Sequence, residues 1–324
     1  MIAATEEEVI LGRFREKNSG LFKKNEALLI AHLATVFSLL ILFSASAIFS
    51  PLISLKILAG FAAAFLWFCL INVTIHHHHT HKNAASKQWA KNILNGIYMI
   101  AMPNAPKRLN RYTRAHLNHH ARPFHESDVD HHYGTERFLR MMKNPVSAAL
   151  YFLELTFVGG HMPGWQDDKY MNQVPLEKWN GADYEKIKQT EQREAVKIAL
   201  LQWGGFLAVV CAPVFLPGLN SAILYKLVSA FVWGWAFPML MVKNWAHFLG
   251  QFQHYDPRFL QDDSTVWTCT KTYHVSSFLN YLCGGEISGH FLHHLFPELP
   301  YYRVEDARKL FVADPELSSK FAIY

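Results

Sequence analysis

Four apolar runs, each about as long as a bilayer is thick, limit what this chain can fold into. They are residues 27–50 (ALLIAHLATVFSLLILFSASAIFS), 52–75 (LISLKILAGFAAAFLWFCLINVTI), 196–218 (VKIALLQWGGFLAVVCAPVFLPG) and 221–242 (SAILYKLVSAFVWGWAFPMLMV). Crossing ~30 Å of hydrocarbon as an α-helix takes about 20 residues. Buried helices of soluble domains keep a polar stripe, which these runs lack. Pro51 alone separates the first two runs and Leu219-Asn220 the last two, so each pair predicts a tight helical hairpin. A composition of 51% hydrophobic and 18% charged residues suits a large soluble domain equally well; the clustering is what points to a membrane.

Charge sets the expected orientation. Of 31 Lys and Arg, only Lys56 and Lys226 fall inside the runs, both near the short hairpin turns, apart from Lys197 at the outer end of the third run. The rest lie before the first run, between the pairs, after the last, or at run ends on that same side. The positive-inside bias makes that side cytoplasmic, with both termini there. The reading is all-α: a single membrane-embedded domain over 1–324, with four transmembrane helices as two hairpins. A cytoplasmic helical cap, 76–195 and 243–324, would complete it and hold a histidine-rich di-metal site. Residues 1–26 read as a charged lead with an interfacial helix. The net charge of +5 then reflects topology and a membrane-lipid surroundings, not a nucleic-acid partner. Ala45-Ser46-Ala47 resembles a signal-peptide cleavage site, but the preceding run is too long and another follows at once. Cys69, Cys211, Cys269 and Cys283 show no CxxC spacing, so neither disulfides nor a cysteine metal site is indicated.

The chain has 19 histidines, and three clusters carry helical spacing. HHHHTH (76–81) follows the second run directly. RAHLNHHARP carries His116, His119 and His120, and GHFLHHLFPELPYYR carries His290, His293 and His294. Positions i, i+3 and i+4 share a helix face, so H-x2-HH aims three imidazoles at one point. In the first cluster, H-x3-H selects His77 with His81 and H-x4-H selects His76 with His81. The spare imidazoles there are outer hydrogen-bond donors or solvated, with His79 read as solvated. Asp128 and Asp130 trail the second cluster and are candidate acceptors for the outer N–H of ligating imidazoles. A structural zinc takes four ligands, so about eight imidazoles suit two metals. Iron, copper and zinc all accept imidazole.

The order and placement of these clusters resemble the membrane-bound fatty acid desaturase family. HFLHHLFPELPY is similar to the HxxHHLFPxxP of acyl-lipid desaturases, and HLNHH with Glu126-Ser-Asp-Val-Asp130 resembles the second box. The resemblance implies two iron ions held mainly by histidine nitrogen, which use O2 and two supplied electrons to desaturate a fatty acyl chain. By position the ligands would be His76 or His77 with His81, then His116, His119, His120, His290, His293 and His294. The family adds a further ligand after the fourth span, where this chain reads KNWAHFLGQFQHYD. His254 in QFQH is favoured there. His247 with Asn244 is the alternative, one residue off the N-x3-H spacing. The chain shows no G-x-G-x-x-G after a strand, cysteine quartet or HPGG, which implies an external ferredoxin or cytochrome b5 as electron donor. Lys107, Arg108, Arg111 and Arg114 would attract such acidic carriers, or anionic headgroups. The substrate would be an acyl lipid or acyl thioester, in a bacterial inner membrane or the endoplasmic reticulum.

A hydroxylase, ketolase or acetylenase of the same superfamily, acting on acyl, sphingolipid or carotenoid chains, would share these boxes. A histidine-rich metal transporter is the alternative of another class. It requires polar ligands along the spans, which offer little beyond serines, Thr35, Asn72 and the two terminal lysines.

Overall fold

The computed structural model describes residues 6–101, Thr113, His116, Leu117, His119, His120, 143–154, Gly204, Ala208, Cys211, 221–254 and 273–320. Among them every regular element is helical. Helix α1 (Glu6–Lys17) and a 3-10 turn lead into α2 (Glu26–Phe49), which starts at Asn25. The Asn25 side chain accepts from the N–H groups of Ala27 and Leu28, capping donors that have no partner within the helix. Pro51 lies in the short turn to α3 (Ile53–Asn72), which continues as a π-helix over Val73–Thr80. Then come α4 (Gln88–Ala101), α5 (Pro145–Glu154) and α6 (Ser221–Phe231), the last joined by a π turn, Val232–Ala236, to α7 (Phe237–His254). The C-terminal part holds α8 (Ser277–Leu282), α9 (Glu286–Leu295), α10 (Val304–Ala313) and α11 (Pro315–Lys320).

Three helical stretches are long and apolar enough to cross a membrane: Glu26–Phe49, Ile53–Thr80 and Ala222–Val242. They match the first, second and fourth expected runs to within a few residues. The expected run 196–218 lies outside the described residues apart from Gly204, Ala208 and Cys211, which are helical. On α2, Leu29, His32, Leu33, Val36 and Leu40 form an inward stripe. The opposite face exposes Ile41 at 68% and Leu42 at 57%, and α3 exposes Leu58 at 68%. Large aliphatic side chains bared along both helices of a hairpin suit lipid tails rather than water. The 28-residue stretch Ile53–Thr80 is ~42 Å long, more than the ~30 Å of a hydrocarbon core, and its histidines lie in its last turns.

At the turn end of this hairpin, Lys56 is buried. Its Nζ donates to the carbonyls of Ala47 (3.0 Å) and Ile48 (2.9 Å) and to Ser229 Oγ (3.3 Å) on α6. The last carbonyls of α2 have no acceptor role left within the helix, and the lysine satisfies two of them while tying in α6. Near mid-span, Gly60 lets α3 approach α7 closely, since a Cβ there would stand 2.6 Å from the Phe237 ring.

The described C-terminal helices form a second core. Leu292, Phe296, Val304, Ala307 and Phe311 pack together, and α1 joins them through Ile10 and Phe14. Phe14 stacks on Phe296 at 5.6 Å and meets Phe311 edge-on at 5.3 Å. Arg13 pairs with Glu316 (2.7 Å) and Arg15 with Glu298. The charged lead is thus docked on protein by its apolar face, which an interfacial helix would have turned to lipid.

Candidate metal centre

The first histidine cluster sits on the π-helix that ends α3. The His81 N–H donates to the His76 carbonyl at 2.9 Å, an i to i+5 bond. That register brings residues five apart onto one face, where an α-helix would align residues four apart. His76 and His81 accordingly both reach the second cluster: His76 stacks on His116 (4.6 Å, 8°), and His81 meets the same ring edge-on at 5.2 Å. His77 turns elsewhere, toward Glu286. His78 Nε2–H donates to Asn95 Oδ1 (3.1 Å), and His79 packs on Tyr98 at 4.7 Å. Both partners belong to α4, so the imidazoles expected to be spare are packed against a helix.

The described residues of the second cluster (Thr113, His116, Leu117, His119, His120) are helical, and Thr113 Oγ1 touches Thr80 Oγ1 at 3.3 Å. The third cluster lies on α9. Consecutive glycines at positive φ, Gly284 (68°) and Gly285 (78°), turn the chain into this helix. Such conformations cost a side-chain-bearing residue free energy that glycine does not incur.

The three clusters meet. One ligand atom from each of His81, His116, His120 and His293 lies within 4.8 Å of the others. His116 Nε2 is 3.2 Å from His81 Nε2 and 3.1 Å from His120 Nε2, which is itself 3.1 Å from His293 Nε2. His294 Nε2 is 3.3 Å from His119 Nε2 and 3.2 Å from His290 Nε2. An imidazole nitrogen has one in-plane lobe, either a lone pair or an N–H. A nitrogen with two such neighbours therefore satisfies at most one by hydrogen bonding. At a metal–nitrogen distance of roughly 2.1 Å, adjacent ligands stand about 3.0 Å apart in an octahedron and about 3.4 Å in a tetrahedron. The observed spacings span that interval, so the donor set fits a transition metal.

A second group comprises His77, Glu286 and His293. Glu286 Oε1 is 2.8 Å from His77 Nε2 and 3.9 Å from His76 Nδ1, and Oε2 accepts from Asn72 Nδ2 at 2.5 Å. Tyr301 packs against the His77 ring at 5.0 Å and donates its hydroxyl to His32 Nδ1 at 2.9 Å. His32 Nε2–H then donates to the Leu282 carbonyl at 3.2 Å. His32, isolated in sequence, is thus a core histidine that ties α2 to α8 and, through Tyr301, to His77 of the first cluster.

Burial sets the protonation of these groups. It pushes His290 down to about 4 and His293 well below the ordinary imidazole range. His81 falls to about 3, through burial and then the neighbouring His77 and His76. His120 is lowered far, by burial and then by His116 and His81. Burial alone would raise Glu286, but His77 and His76 hold its carboxyl well below the usual range. Near neutral pH His81, His120, His290 and His293 therefore offer neutral imidazole lone pairs and Glu286 a carboxylate, the forms that bind metal.

Of the other expected residues, Asn244 lies buried on α7, its Nδ2 donating to Met241 Sδ at 3.5 Å. His247 and His254 belong to α7 by backbone, and their side chains lie outside the described residues, as do Asp128 and Asp130 entirely. Glu286 was not among the sequence candidates. Its signal was available: an acidic residue four before His290, hence on the same helix face.

A search of curated proteins finds no match. A model of the fatty acid desaturase family, in contrast, matches residues 51–319, from the turn between α2 and α3 to near the end of α11. That range takes in all three histidine clusters and Glu286. The chain belongs to the fatty acid desaturase family.

Proposed function

We propose that the chain is an integral-membrane oxidoreductase that desaturates a fatty acyl chain, using two irons, O2 and two electrons from an external ferredoxin or cytochrome b5. The observation that carries this reading is the convergence of His81, His116, His120 and His293 where a ~42 Å apolar helix ends. These four would hold one iron. His77 would join them on the same ion, and His119, His290 and His294 would serve the second, with His254 of α7 as the further ligand. His76 is stacked on His116 and takes a supporting place. Bound iron supplies the redox chemistry with O2 that breaks an unactivated C–H bond.

The protein's own contribution is to position and dry the site. His77, His119 and His293 are almost fully buried, so water is kept from the reacting region. Family membership supports an acyl substrate and an oxidoreductase activity. The whole chain would act as one membrane-embedded domain, with four spans and the histidines on the cytoplasmic side.

Expression in a host of known fatty acid profile, followed by mass spectrometry of the extracted lipids, tests the reading. New double bonds that vanish with His293→Ala support it. New hydroxyl or keto groups would instead assign a hydroxylase or ketolase. Loosely held zinc without any O2-dependent product would favour a transporter. Reporter fusions at the two termini test the orientation, and both are expected on the cytoplasmic side.

A further inference from the structure

Among the described residues Glu286 is the only buried acidic side chain. A carboxylate so far from water requires pairing, hydrogen bonds or a metal. Asn72 Nδ2 holds Oε2 at 2.5 Å, which leaves Oε1 facing the histidines. His77 Nε2 is 2.8 Å from Oε1, and yet neither ring nitrogen of His77 has a hydrogen bond, although the side chain is fully buried. The contact is close, and its geometry falls short of a hydrogen bond. Two donor atoms side by side, both within 4.8 Å of a ring nitrogen of His293, are arranged as neighbours around a common point.

We propose that Glu286 is itself a metal ligand, sharing an ion with His77 and His293, so that the centre is mixed imidazole–carboxylate. This inference rests on the two-iron reading above and deepens it. Asn72 then acts as a positioning residue, fixing the carboxylate so that one oxygen is presented to the ion. Two divalent ions among neutral imidazoles would carry four uncompensated charges, and an anionic ligand offsets one of them. That compensation favours the more oxidised state of the centre.

Metal content of monodisperse, detergent-purified protein tests the idea, after loading with iron(II) or with cobalt(II) as a spectroscopic probe. Wild type is expected to hold about two ions per chain. Glu286→Gln keeps an oxygen able to accept from His77 but is a poor ligand, and loss of about half the metal supports coordination. Retention of all the metal with an unchanged cobalt spectrum overturns it. Glu286→Asp keeps the charge and shortens the reach by one bond. A shifted cobalt spectrum supports coordination, and an unchanged one at full metal content counts against it.

Should both variants fail to fold, wild-type protein carrying 13C-glutamate takes their place. A glutamate carboxylate band that shifts in the infrared difference between metal-loaded and metal-free protein supports the proposal, and no shift overturns it. A wild-type chain that takes up neither metal overturns the two-iron reading as well, whereas two ions with a silent Glu286 overturns this inference alone.

Discussion

Replacing Gly289 with alanine probes how firmly the third histidine cluster is held. Gly289 is buried in α9 one residue before His290, at a kink with φ −135° and ψ 18°. A Cβ there would stand 2.3 Å from Val304 Cγ1, whereas ordinary contact begins at 3.4 Å. Helix α9 and Val304 would have to separate by about 1.1 Å in an interior packed as densely as an organic crystal. Val304 is β-branched and buried, and such side chains have one strongly preferred rotamer in a helix, so it does not swing aside. Overpacking of this kind costs ~1–3 kcal/mol, and a metal constellation tolerates displacements of only about 0.5 Å. Thermal unfolding in detergent micelles should show Tm lowered by about 2–8 °C. Iron per chain should fall by about half or more. Adding Val304→Ala removes the clashing methyl and should restore most of the iron. Wild-type Tm and iron content in Gly289→Ala would refute the reasoning, and so would a double variant that recovers no metal.

The remaining predictions concern protons, ligands and the far end of the hairpin. His81 (about 3) and His290 (about 4) lie below the ordinary imidazole value, so from about pH 6.5 downward the unfolded chain binds protons first. Their stabilisation is complete above pH 6.5 and is lost as pH falls toward 4, at ~1.4 kcal/mol per pH unit per histidine. The metal-free protein should therefore melt lower at pH 5 than at pH 7, and equal melting points would contradict this. His293 belongs to both ligand groups, so His293→Ala should lose about half of the metal or more and reduce activity by roughly 100-fold or more. His79→Ala, packed on Tyr98, should keep its iron, as metal analysis of the two variants will show. Lys56→Met strips the cation from two buried carbonyls and should cost about 1–3 kcal/mol. An unchanged Tm in detergent would show that those contacts contribute nothing.

Much of this arrangement is legible in the sequence, for reasons that differ by feature. Spans are legible because hydrocarbon thickness converts directly into residue number, which is why the runs at 27–50, 52–75 and 221–242 fall within a few residues of their helices. The second and third clusters are legible because H-x2-HH on an α-helix has one geometry. The first was ambiguous because a π-helix leaves no compositional mark. A change of hydrogen-bond register from i+4 to i+5 sets which of His76 and His77 faces the second cluster, and nothing in HHHHTH encodes it. His79 was read as solvated because its neighbour, Tyr98, comes from a helix that the local pattern does not see. Glu286 escaped for a related reason: its partners, Asn72 and His77, are more than 200 residues away in the chain, as the 214-residue separation from Asn72 shows.

The docking of α1 on α9 and α10 also governs when the centre can exist. It joins a helix made early in synthesis to helices made late. His120 and His293 are 173 residues apart, about 9–35 s of synthesis at ordinary rates. Throughout that interval the first two clusters stand at the membrane without the third, and Phe14 has no aromatic partners to settle against. A centre that includes His293 would therefore load its metal only after α9 is made, with closure of α1 over α9 and α10 a late step of biogenesis. A truncation after α8 would insert its helices normally and still never become a metalloprotein.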